Sequence, residues 1–298
     1  MIKQPPYLKK GDKIAIVCPA KKLPKSIVEG IAILESWGLS VVQGKTVTGS
    51  YHQFSGSDAE RTEDLQQFLD DPNIKAIIAG RGGYGTIRII DELDFTAFQK
   101  QPKWLIGFSD ITVLLSHTLA KLKTQSIHGQ MPYTFADSTP EAIESLRKAL
   151  FGEELAYQLK NEGGRNGEAE GILIGGNLSL LMAVECSVSA MDFTDKILFL
   201  EEVGEHEYSI DRMMRMFKRS GKLAKLKGLI IGAFNEVGEE TIPFGQTPEE
   251  VIWELVKEYD YPVCFNFPCG HIDDNRAMIL GKTVSLSVNE QQVDLKFL

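Results

Sequence analysis

Short apolar segments alternate with helix-periodic segments through the first half of the chain, and this alternation restricts the possible folds more than any other feature. Apolar patterns typical of buried strands occur at 13–18, 39–42, 76–79, 104–107 and 126–128. Apolar residues at helical spacing occur at 28–37, 58–69, 111–122 and 140–150. Strands joined by helices require right-handed β-α-β crossovers, so the sequence predicts an α/β fold with a largely parallel sheet.

A polar, glycine-rich segment at 161–168 interrupts this alternation and has no periodicity. Such a segment is typical of a linker. We therefore expect an N-terminal domain at 1–160, a linker at 161–170 and a C-terminal domain at 171–298. The C-terminal domain is expected to contain strands at 171–174, 197–200, 229–232 and 263–266, helices at 178–184, 210–217 and 248–258, and a terminal hairpin at 283–288 and 292–297.

Length and charge exclude several classes of protein. At ~150 residues per domain, 298 residues correspond to about two domains. The net charge is −9, and a chain without a basic block binds nucleic acid poorly, because phosphate neutralisation supplies most of that affinity. No apolar run approaches the ~18 residues that span a bilayer, and the N-terminal residues lack an apolar signal core. We therefore expect a cytoplasmic protein that has neither nucleic acid nor a membrane as its partner.

The four cysteines predict reduced thiols and no metal site. Cys18, Cys186, Cys264 and Cys269 form no C-x-x-C pair and accompany no histidine cluster, so a structural zinc is not expected. Cys18 and Cys264 fall in apolar, strand-like segments, which favours burial of their thiols.

A glycine-rich turn follows the third predicted strand. Its sequence, Gly80-Arg-Gly-Gly-Tyr-Gly85, matches the G-x-G-x-x-G pattern of dinucleotide-binding loops. That fingerprint belongs after the first strand and is followed by an acid ~20 residues on, whereas residues 99–103 contain no acid. A tight turn with positive φ is a second interpretation. A third is a set of backbone N–H groups that stabilise an oxyanion.

Ser109 lies where a buried strand ends and a helix begins. Open α/β folds hold their sites at this carboxyl edge of the sheet, and the N–H of Asp110 at the helix start could stabilise an oxyanion. The corner resembles a nucleophile elbow, although the second glycine of G-x-S-x-G is missing. The alternative interpretation is that Ser109 or Asp110 is a helix N-cap.

A serine nucleophile needs a base and an acid that orients the base. Two of the five histidines are candidates for the base: His128 at the end of a strand, and His271 after a Pro/Gly turn. The others are expected in a polar loop, on a helix and in solvent: His52, His117 and His206. Glu201 and Glu202 directly follow an apolar strand and are candidates for the orienting acid.

Together these segments resemble the LD-carboxypeptidase family of serine peptidases, which also contains the microcin C self-immunity hydrolases. The resemblance covers nearly the whole chain and rests on segments 81–85, 107–112, 175–178, 200–205 with 210–212, and 270–271 with Asn275. It implies a flavodoxin-like or class I glutamine-amidotransferase-like N-terminal domain with a parallel sheet, joined to a smaller mixed β/α C-terminal domain. The active site would lie in the cleft between the two.

The resemblance also implies the roles of individual residues. Ser109 would be the nucleophile, His271 the general base and acid, and Glu201 the orienting carboxylate. The N–H of Asp110 and that of Gly82 or Gly83 would form the oxyanion hole. The chain departs from the family in having Glu202 where the family has an aspartate, and in having Ile279-Leu280 where the family often has a proline.

The implied activity is that of a serine carboxypeptidase. It would hydrolyse the L,D amide bond that releases terminal D-alanine from cytoplasmic murein tetrapeptide, without metal or cofactor, and the family is often dimeric, so a homodimer is expected. The substrate ends in a carboxylate and the protein is acidic, so a local cation is needed. Arg81 and Arg212 are the candidates, and solvated or structural ion pairs are the alternative for both.

Three rival functions remain open from the sequence. The same triad could hydrolyse a microcin C-type peptidyl or aminoacyl-nucleotide amide. The glycine-rich turn could instead belong to a nucleotide-binding oxidoreductase. The third is a catalytically inactive protein that binds cell-wall peptides.

Overall fold

The first half of the chain alternates strands with helices as the sequence predicts. The computed structural model describes residues 1–238 and 241–298. The strands of this half are β1 (Lys13–Val17), β2 (Ser40–Gln43), β3 (Ile74–Ala79), β4 (Trp104–Gly107) and β5 (Ser126–His128). The helices are α1 (Val28–Ser36), α2 (Asp58–Asp70), α3 (Thr96–Lys100), α4 (Thr112–Ala120) and α5 (Pro140–Phe151). The nine elements predicted here are confirmed, apart from shifts of one or two residues at their ends.

The second half begins with an edge strand and ends with the predicted hairpin. Its strands are β6 (Ala156–Lys160), β7 (Gly164–Arg165), β8 (Gly167–Asn177), β9 (Lys196–Val203), β10 (Gly228–Asn235), β11 (Val263–Cys264), β12 (Met278–Leu280), β13 (Thr283–Val288) and β14 (Gln292–Phe297). Its helices are α6 (Leu178–Ala183), α7 (Glu207–Arg219) and α8 (Pro248–Val256). The period-two pattern of the last 16 residues is confirmed as the antiparallel pair β13–β14.

Six strands form the first sheet, in the order β12-β5-β4-β3-β1-β2. Strands β1 to β5 pair in parallel, so their carboxyl ends meet at one edge. The glycine-rich turn follows β3 and Ser109 follows β4, the neighbouring strand. The predicted parallel sheet is therefore confirmed, and it brings these two segments to the same edge.

Strand β12 reaches the first sheet from far along the chain. It follows the turn that contains His271, and it pairs antiparallel with β5, with Met278 opposite His128. Because of this crossing, the segment before β12 is held against the carboxyl edge of the first sheet. His271 consequently lies near the edge that carries Ser109.

Eight strands form a mixed second sheet, in the order β6-β14-β13-β8-β9-β10-β11-β7. Residues 161–170, predicted to be a linker, contain β7 and the start of β8 instead. At the start of β8 exposed and half-buried residues alternate, and the half-buried positions hold Gly167 and Ala169, so the sequence shows no alternation of large apolar and polar residues there. Strand β6 also belongs to this sheet, although the predicted N-terminal domain extends to residue 160.

Helix α4 lies between the two sheets and is buried along nearly its whole length. Ser116 Oγ on this helix donates a 2.6 Å hydrogen bond to the Ser189 carbonyl. At the start of α4, Thr112 packs on Gly176 of β8, where a Cβ would lie 2.7 Å from Thr112 Cγ2. Only a glycine permits this approach, because the position also has φ +140°. The two sheets are thus packed closely where β4 turns into α4.

Two further expectations concern burial. Three of the four reduced cysteines are buried, among them Cys18 and Cys264 as predicted, and Cys186 is exposed. Within residues 1–238 and 241–298, none of the helices combines the length and apolar character that crossing a bilayer requires.

Candidate active site

Ser109 occupies the corner between β4 and α4 in a strained backbone conformation. Its φ is +63°, in the left-handed region that non-glycine residues rarely adopt. Gly107, two residues earlier, has φ +157° and packs against Ile111. Neither the 3₁₀ helix Ser109–Ile111 nor α4 has a side-chain N-cap hydrogen bond, so the interpretation of Ser109 as a cap is wrong. Strain of this kind is typical of a functional corner.

The glycine-rich turn lies directly against Ser109. A Cβ at Gly82 would stand 2.9 Å from Ser109 Cβ and 3.1 Å from Ser109 Oγ. Gly83 has φ +112° and packs against the Lys21 side chain. Within the part of the chain that the structure describes, the peptide N–H groups of Gly82, Gly83 and Asp110 donate no hydrogen bond. These three predicted positions are therefore brought together beside the serine with their donors available.

Two buried charged side chains hold the end of the glycine-rich turn. The Asp110 carboxylate accepts hydrogen bonds from the N–H groups of Gly85 (3.3 Å) and Thr86 (2.8 Å). From the other side, Arg61 Nη1 donates to the Gly85 carbonyl at 2.9 Å and also to the Pro19 carbonyl. The side chain of Asp110 therefore holds the glycine-rich turn in place, while its N–H is a predicted oxyanion donor. Arg61 was not identified from the sequence, where it is one charged residue on the polar helix α2.

His271 and Glu201 form a hydrogen-bonded pair. His271 Nδ1 lies 2.8 Å from Glu201 Oε2, and the Glu201 side chain has no exposed surface. Burial lowers the pKa of His271, but the hydrogen bond and the charge of Glu201 outweigh burial and hold that pKa above its ordinary value. An ionised carboxylate only accepts hydrogen bonds, so Nδ1 carries the proton and Nε2 is left as the basic nitrogen.

The neighbouring acid, Glu202, has other hydrogen-bond partners. It points to the other face of β9, as successive strand residues do, where it accepts hydrogen bonds from Asn177 Nδ2 (2.8 Å) and the N–H of Ser179 (2.7 Å). Burial raises the pKa of Glu202 to about 7. The geometry therefore pairs His271 with Glu201, the acid that the family resemblance implies.

The segment that carries Ser109 contacts the His271–Glu201 pair through Phe108. The ring of Phe108, the residue before Ser109, packs edge-on against the His271 ring at a centroid distance of 5.0 Å. No hydrogen bond joins Ser109 Oγ to His271 in residues 1–238 and 241–298. Such bonds are often long without substrate. The structure thus places the His271 ring against the residue that precedes Ser109.

The other histidines lie elsewhere or have different partners. His128 is fully buried beside the pair, and its Nε2 is 3.3 Å from Asn275 Oδ1. His117 is buried on α4 and contacts Ser189 Oγ at 2.9 Å. His206 contacts the Gly238 carbonyl at 3.1 Å, and His52 is an exposed loop residue.

The two predicted substrate-binding arginines differ in position. Arg81 is half-buried beside Gly82, donates to the Lys22 carbonyl at 3.1 Å and stacks over Tyr133. Arg212 lies on α7, where it contacts Ser209 and the Tyr208 ring. Arg81 is therefore next to the candidate oxyanion hole, whereas the contacts of Arg212 in the described residues do not reach it. Across the same residues, no three His, Cys, Asp or Glu side chains converge as metal ligands.

Comparison with known proteins identifies the family. Two family models match, for the LD-carboxypeptidase N-terminal domain over residues 14–129 and the LD-carboxypeptidase C-terminal domain over residues 170–286. A probable murein peptide carboxypeptidase of Bacillus subtilis (strain 168) is 31% identical over 297 residues, which cover 97% of this chain and 92% of that protein.

Two solved structures share the fold. Muramoyltetrapeptide carboxypeptidase from Oxalobacter formigenes superposes with a TM-score of 0.86 at 28% identity, covering 96% of this chain and 98% of that chain. MccF in complex with glutamyl sulfamoyl guanosine gives a TM-score of 0.87 at 21% identity over 99% and 98% of the two chains, a likeness of fold alone. The fold class and the resemblance found in the sequence are confirmed: the chain belongs to the LD-carboxypeptidase family.

Proposed function

We propose that this protein is a serine-type LD-carboxypeptidase that releases terminal D-alanine from murein tetrapeptide. The observation that carries the proposal is the convergence at one sheet edge of a strained serine, three available backbone donors and a histidine hydrogen-bonded to a buried carboxylate. Nucleophile, oxyanion donors and oriented base are the three parts that acyl transfer requires.

The reaction begins with proton transfer from Ser109 to Nε2 of His271. Ser109 Oγ then bonds to the carbonyl carbon of the diamino acid, and the N–H groups of Gly82, Gly83 and Asp110 bind the oxyanion. A donor of this kind contributes ~3 kcal/mol in known enzymes. His271 passes its proton to the amine of D-alanine as the C–N bond breaks. Water activated by His271 hydrolyses the resulting ester and restores the hydroxyl.

Glu201 acts through His271 in both steps. Its carboxylate keeps the proton on Nδ1 and stabilises the imidazolium that forms during each transfer. Because Glu201 is buried, its charge is poorly screened by water and acts strongly on His271. Arg81 is the cation that we assign to the terminal carboxylate, since it directly precedes Gly82 in the chain and its guanidinium retains donors beyond its bond to Lys22.

The names of the relatives support murein peptides as the substrate class. We propose that the enzyme acts in the cytoplasm on recycled murein peptides, and that it is a homodimer, a state that light scattering tests. A microcin C-type amide is the alternative substrate, because the fold is shared with MccF, which was solved with glutamyl sulfamoyl guanosine bound.

The test is a substrate panel given to the wild type and to Ser109→Ala. The panel contains murein tetrapeptide ending in D-alanine, the same peptide ending in L-alanine, and glutamyl sulfamoyl guanosine. We expect the wild type to release D-alanine from the first and to leave the second intact, and Ser109→Ala to cleave none. Cleavage of the nucleotide conjugate in preference to the tetrapeptide would support the alternative. Equal release of D-alanine by both proteins would refute the serine mechanism.

A further inference from the structure

Arg81 carries a half-buried positive charge that has no acidic partner in the protein. Its Nη1 donates to the Lys22 carbonyl at 3.1 Å, and it forms no ion pair among the residues that the structure describes. The other buried or half-buried arginines pair with acids or donate to carbonyl oxygens: Arg61, Arg147, Arg165 and Arg276. Because partly desolvated charges in proteins are usually paired, the unpaired guanidinium of Arg81 indicates an anionic ligand.

The aromatic ring of Tyr133 holds this guanidinium in place. Cζ of Arg81 lies 5.0 Å from the centroid of the ring, within the ~6 Å range of a cation–π contact. The backbone of Tyr133 is tied to the same turn, since its N–H donates to the carbonyl of Gly80 at 3.1 Å. Lys25 Nζ is 5.4 Å from the same ring, but Lys25 pairs with Asp137 at 3.2 Å. Of these two cations, Arg81 is therefore the one that stays available for a ligand.

The loop 129–134, which carries Tyr133, also contacts the turn that contains His271. The loop follows β5, and β3, β4 and β5 are neighbours in the first sheet. The glycine-rich turn, Ser109 and this loop therefore leave the sheet at one edge. Gln130 Nε2 on the loop donates to the carbonyls of the two residues after His271, at 3.2 and 3.1 Å. The loop thus joins the Arg81 side of the site to the histidine side.

We propose that Tyr133 is a positioning residue that acts through Arg81 and makes the enzyme selective for peptides with a free C-terminal carboxylate. The Tyr133 ring and the Lys22 carbonyl fix the plane of the guanidinium, so that two of its remaining N–H donors face both oxygens of one carboxylate. A C-terminal amide carries no charge and offers one oxygen, so it loses this paired contact. The inference rests on the proposed function, which assigns Arg81 to the terminal carboxylate.

Loss of the ring should affect substrate binding rather than chemistry. Without Tyr133, the guanidinium of Arg81 must be ordered when the substrate binds, which raises KM for the acid, whereas Ser109 and its base are unchanged and kcat stays nearly constant. A cation–π contact corresponds to about a twofold to thirtyfold change in binding. We expect the ratio of kcat/KM for the acid to kcat/KM for the amide to fall by that factor. General loosening of the fold would lower both values alike and leave their ratio unchanged.

The experiment measures kcat and KM for murein tetrapeptide and for its C-terminal amide in wild type, Tyr133→Leu and Tyr133→Phe. Tyr133→Phe keeps the ring and should keep the wild-type ratio, whereas Tyr133→Leu should lower it. An unchanged ratio in Tyr133→Leu, or an equal fall in Tyr133→Phe, would overturn the inference. If Tyr133→Leu does not fold, Tyr133→Met takes its place, because it fills much of the same volume without a ring.

Tyr259→Leu is the matched control for the loss of a ring. Tyr259 is also half-buried and also lies under a cation, with Lys218 Nζ 5.9 Å from its ring centroid. It precedes β11, which runs parallel to β10 and β9, so it lies at the edge of the second sheet opposite to the end of β9 that carries Glu201. The preference for the acid over the amide should therefore stay at the wild-type value in Tyr259→Leu.

Binding without turnover separates this inference from the proposed function. Ser109→Ala and the double variant Ser109→Ala with Tyr133→Leu are titrated with the tetrapeptide and with its amide by calorimetry. We expect Ser109→Ala to bind the acid more tightly and the double variant to lose most of that preference. If this is seen but the wild type releases no D-alanine, the proposed function fails and the carboxylate site stands. If D-alanine is released and the preference is the same with and without the ring, the inference fails and the proposed function stands. Absence of binding of either peptide to Ser109→Ala would overturn the inference.

Discussion

Nδ1 of His271 and the fully buried Glu201 carboxylate are 2.8 Å apart, and this pair decides how the candidate site responds to pH. The carboxylate stabilises the imidazolium form, so the pKa of His271 lies above the ordinary value despite burial. Because only the neutral ring can accept the Ser109 proton, we expect activity to rise as pH increases through that raised pKa.

Glu201→Gln should shift the acidic limb of the kcat/KM profile to lower pH. The amide removes the charge that raises the pKa of His271, and burial, which lowers that pKa, remains. We also expect kcat to fall by as much as ~10⁴-fold, as when the orienting acid of a known triad is neutralised. Glu202→Gln is the control, since Glu202 is hydrogen-bonded to Asn177 and Ser179 rather than to His271. The acidic limb of the kcat/KM profile should move less in Glu202→Gln than in Glu201→Gln. An unmoved limb in Glu201→Gln would show that Glu201 does not act on His271.

Ser109→Gly should be more stable than Ser109→Ala. The φ of +63° strains any residue with a Cβ, by about 1 kcal/mol or more, and glycine adopts it freely. Both variants lack the hydroxyl and should be inactive, so the comparison isolates the strain of the corner. Urea unfolding measures the difference, and an alanine variant as stable as the glycine variant would contradict a strained corner.

Gly82→Ala should reduce activity more than it reduces stability. The new methyl group would lie 3.1 Å from Ser109 Oγ and 3.2 Å from the Phe108 carbonyl, where it obstructs the nucleophile and the space for an oxyanion. Gly129→Ala is the matched control, because a Cβ there meets nothing closer than 3.6 Å. D-Alanine release and thermal unfolding are measured on both. Full activity in Gly82→Ala would exclude this part of the turn from the site.

Asp110→Asn should destabilise the protein and lower kcat together. The amide keeps one acceptor but turns an N–H donor toward the Gly85 or Thr86 N–H group, which leaves a buried donor unpaired at a cost of about 1–3 kcal/mol. The loosened turn carries Gly82 and Gly83, so oxyanion binding suffers as well. Asp94→Asn tests the same chemistry at the surface, where Asp94 accepts from the Thr96 N–H, and should cost much less.

Strand and helix positions could be predicted because apolar periodicity records which side chains are buried. Position 109 at a strand-to-helix corner followed directly from that pattern. The left-handed backbone at Ser109 did not, since serine is also a good helix N-cap and local sequence does not separate the two. Glu201 and Glu202 could not be separated by strand pattern either, because neighbouring strand residues point to opposite faces and tertiary contacts decide which face meets the histidine.

Two features depended on contacts between distant segments. The segment 161–170 was predicted to be a linker because it is polar, glycine-rich and without periodicity, and the half-buried positions of β8 in it hold glycine and alanine, which leave little apolar signal. Strand β12 pairs with β5 in the first sheet and places Met278 opposite His128, 150 residues earlier in the chain. No local sequence pattern predicts this pairing. This crossing brings Asn275 to His128 and His271 to Phe108, so the assembly of the site was beyond local sequence patterns.

The most direct measurement is the rate of D-alanine release from murein tetrapeptide by wild type and Ser109→Ala at equal concentrations of folded protein. We expect the wild type to turn over and the variant to be slower by at least ~10⁴-fold, because removal of a triad nucleophile has effects of this order or larger. Release at the same rate from both proteins would contradict the central claim that the Ser109 hydroxyl attacks the L,D amide bond.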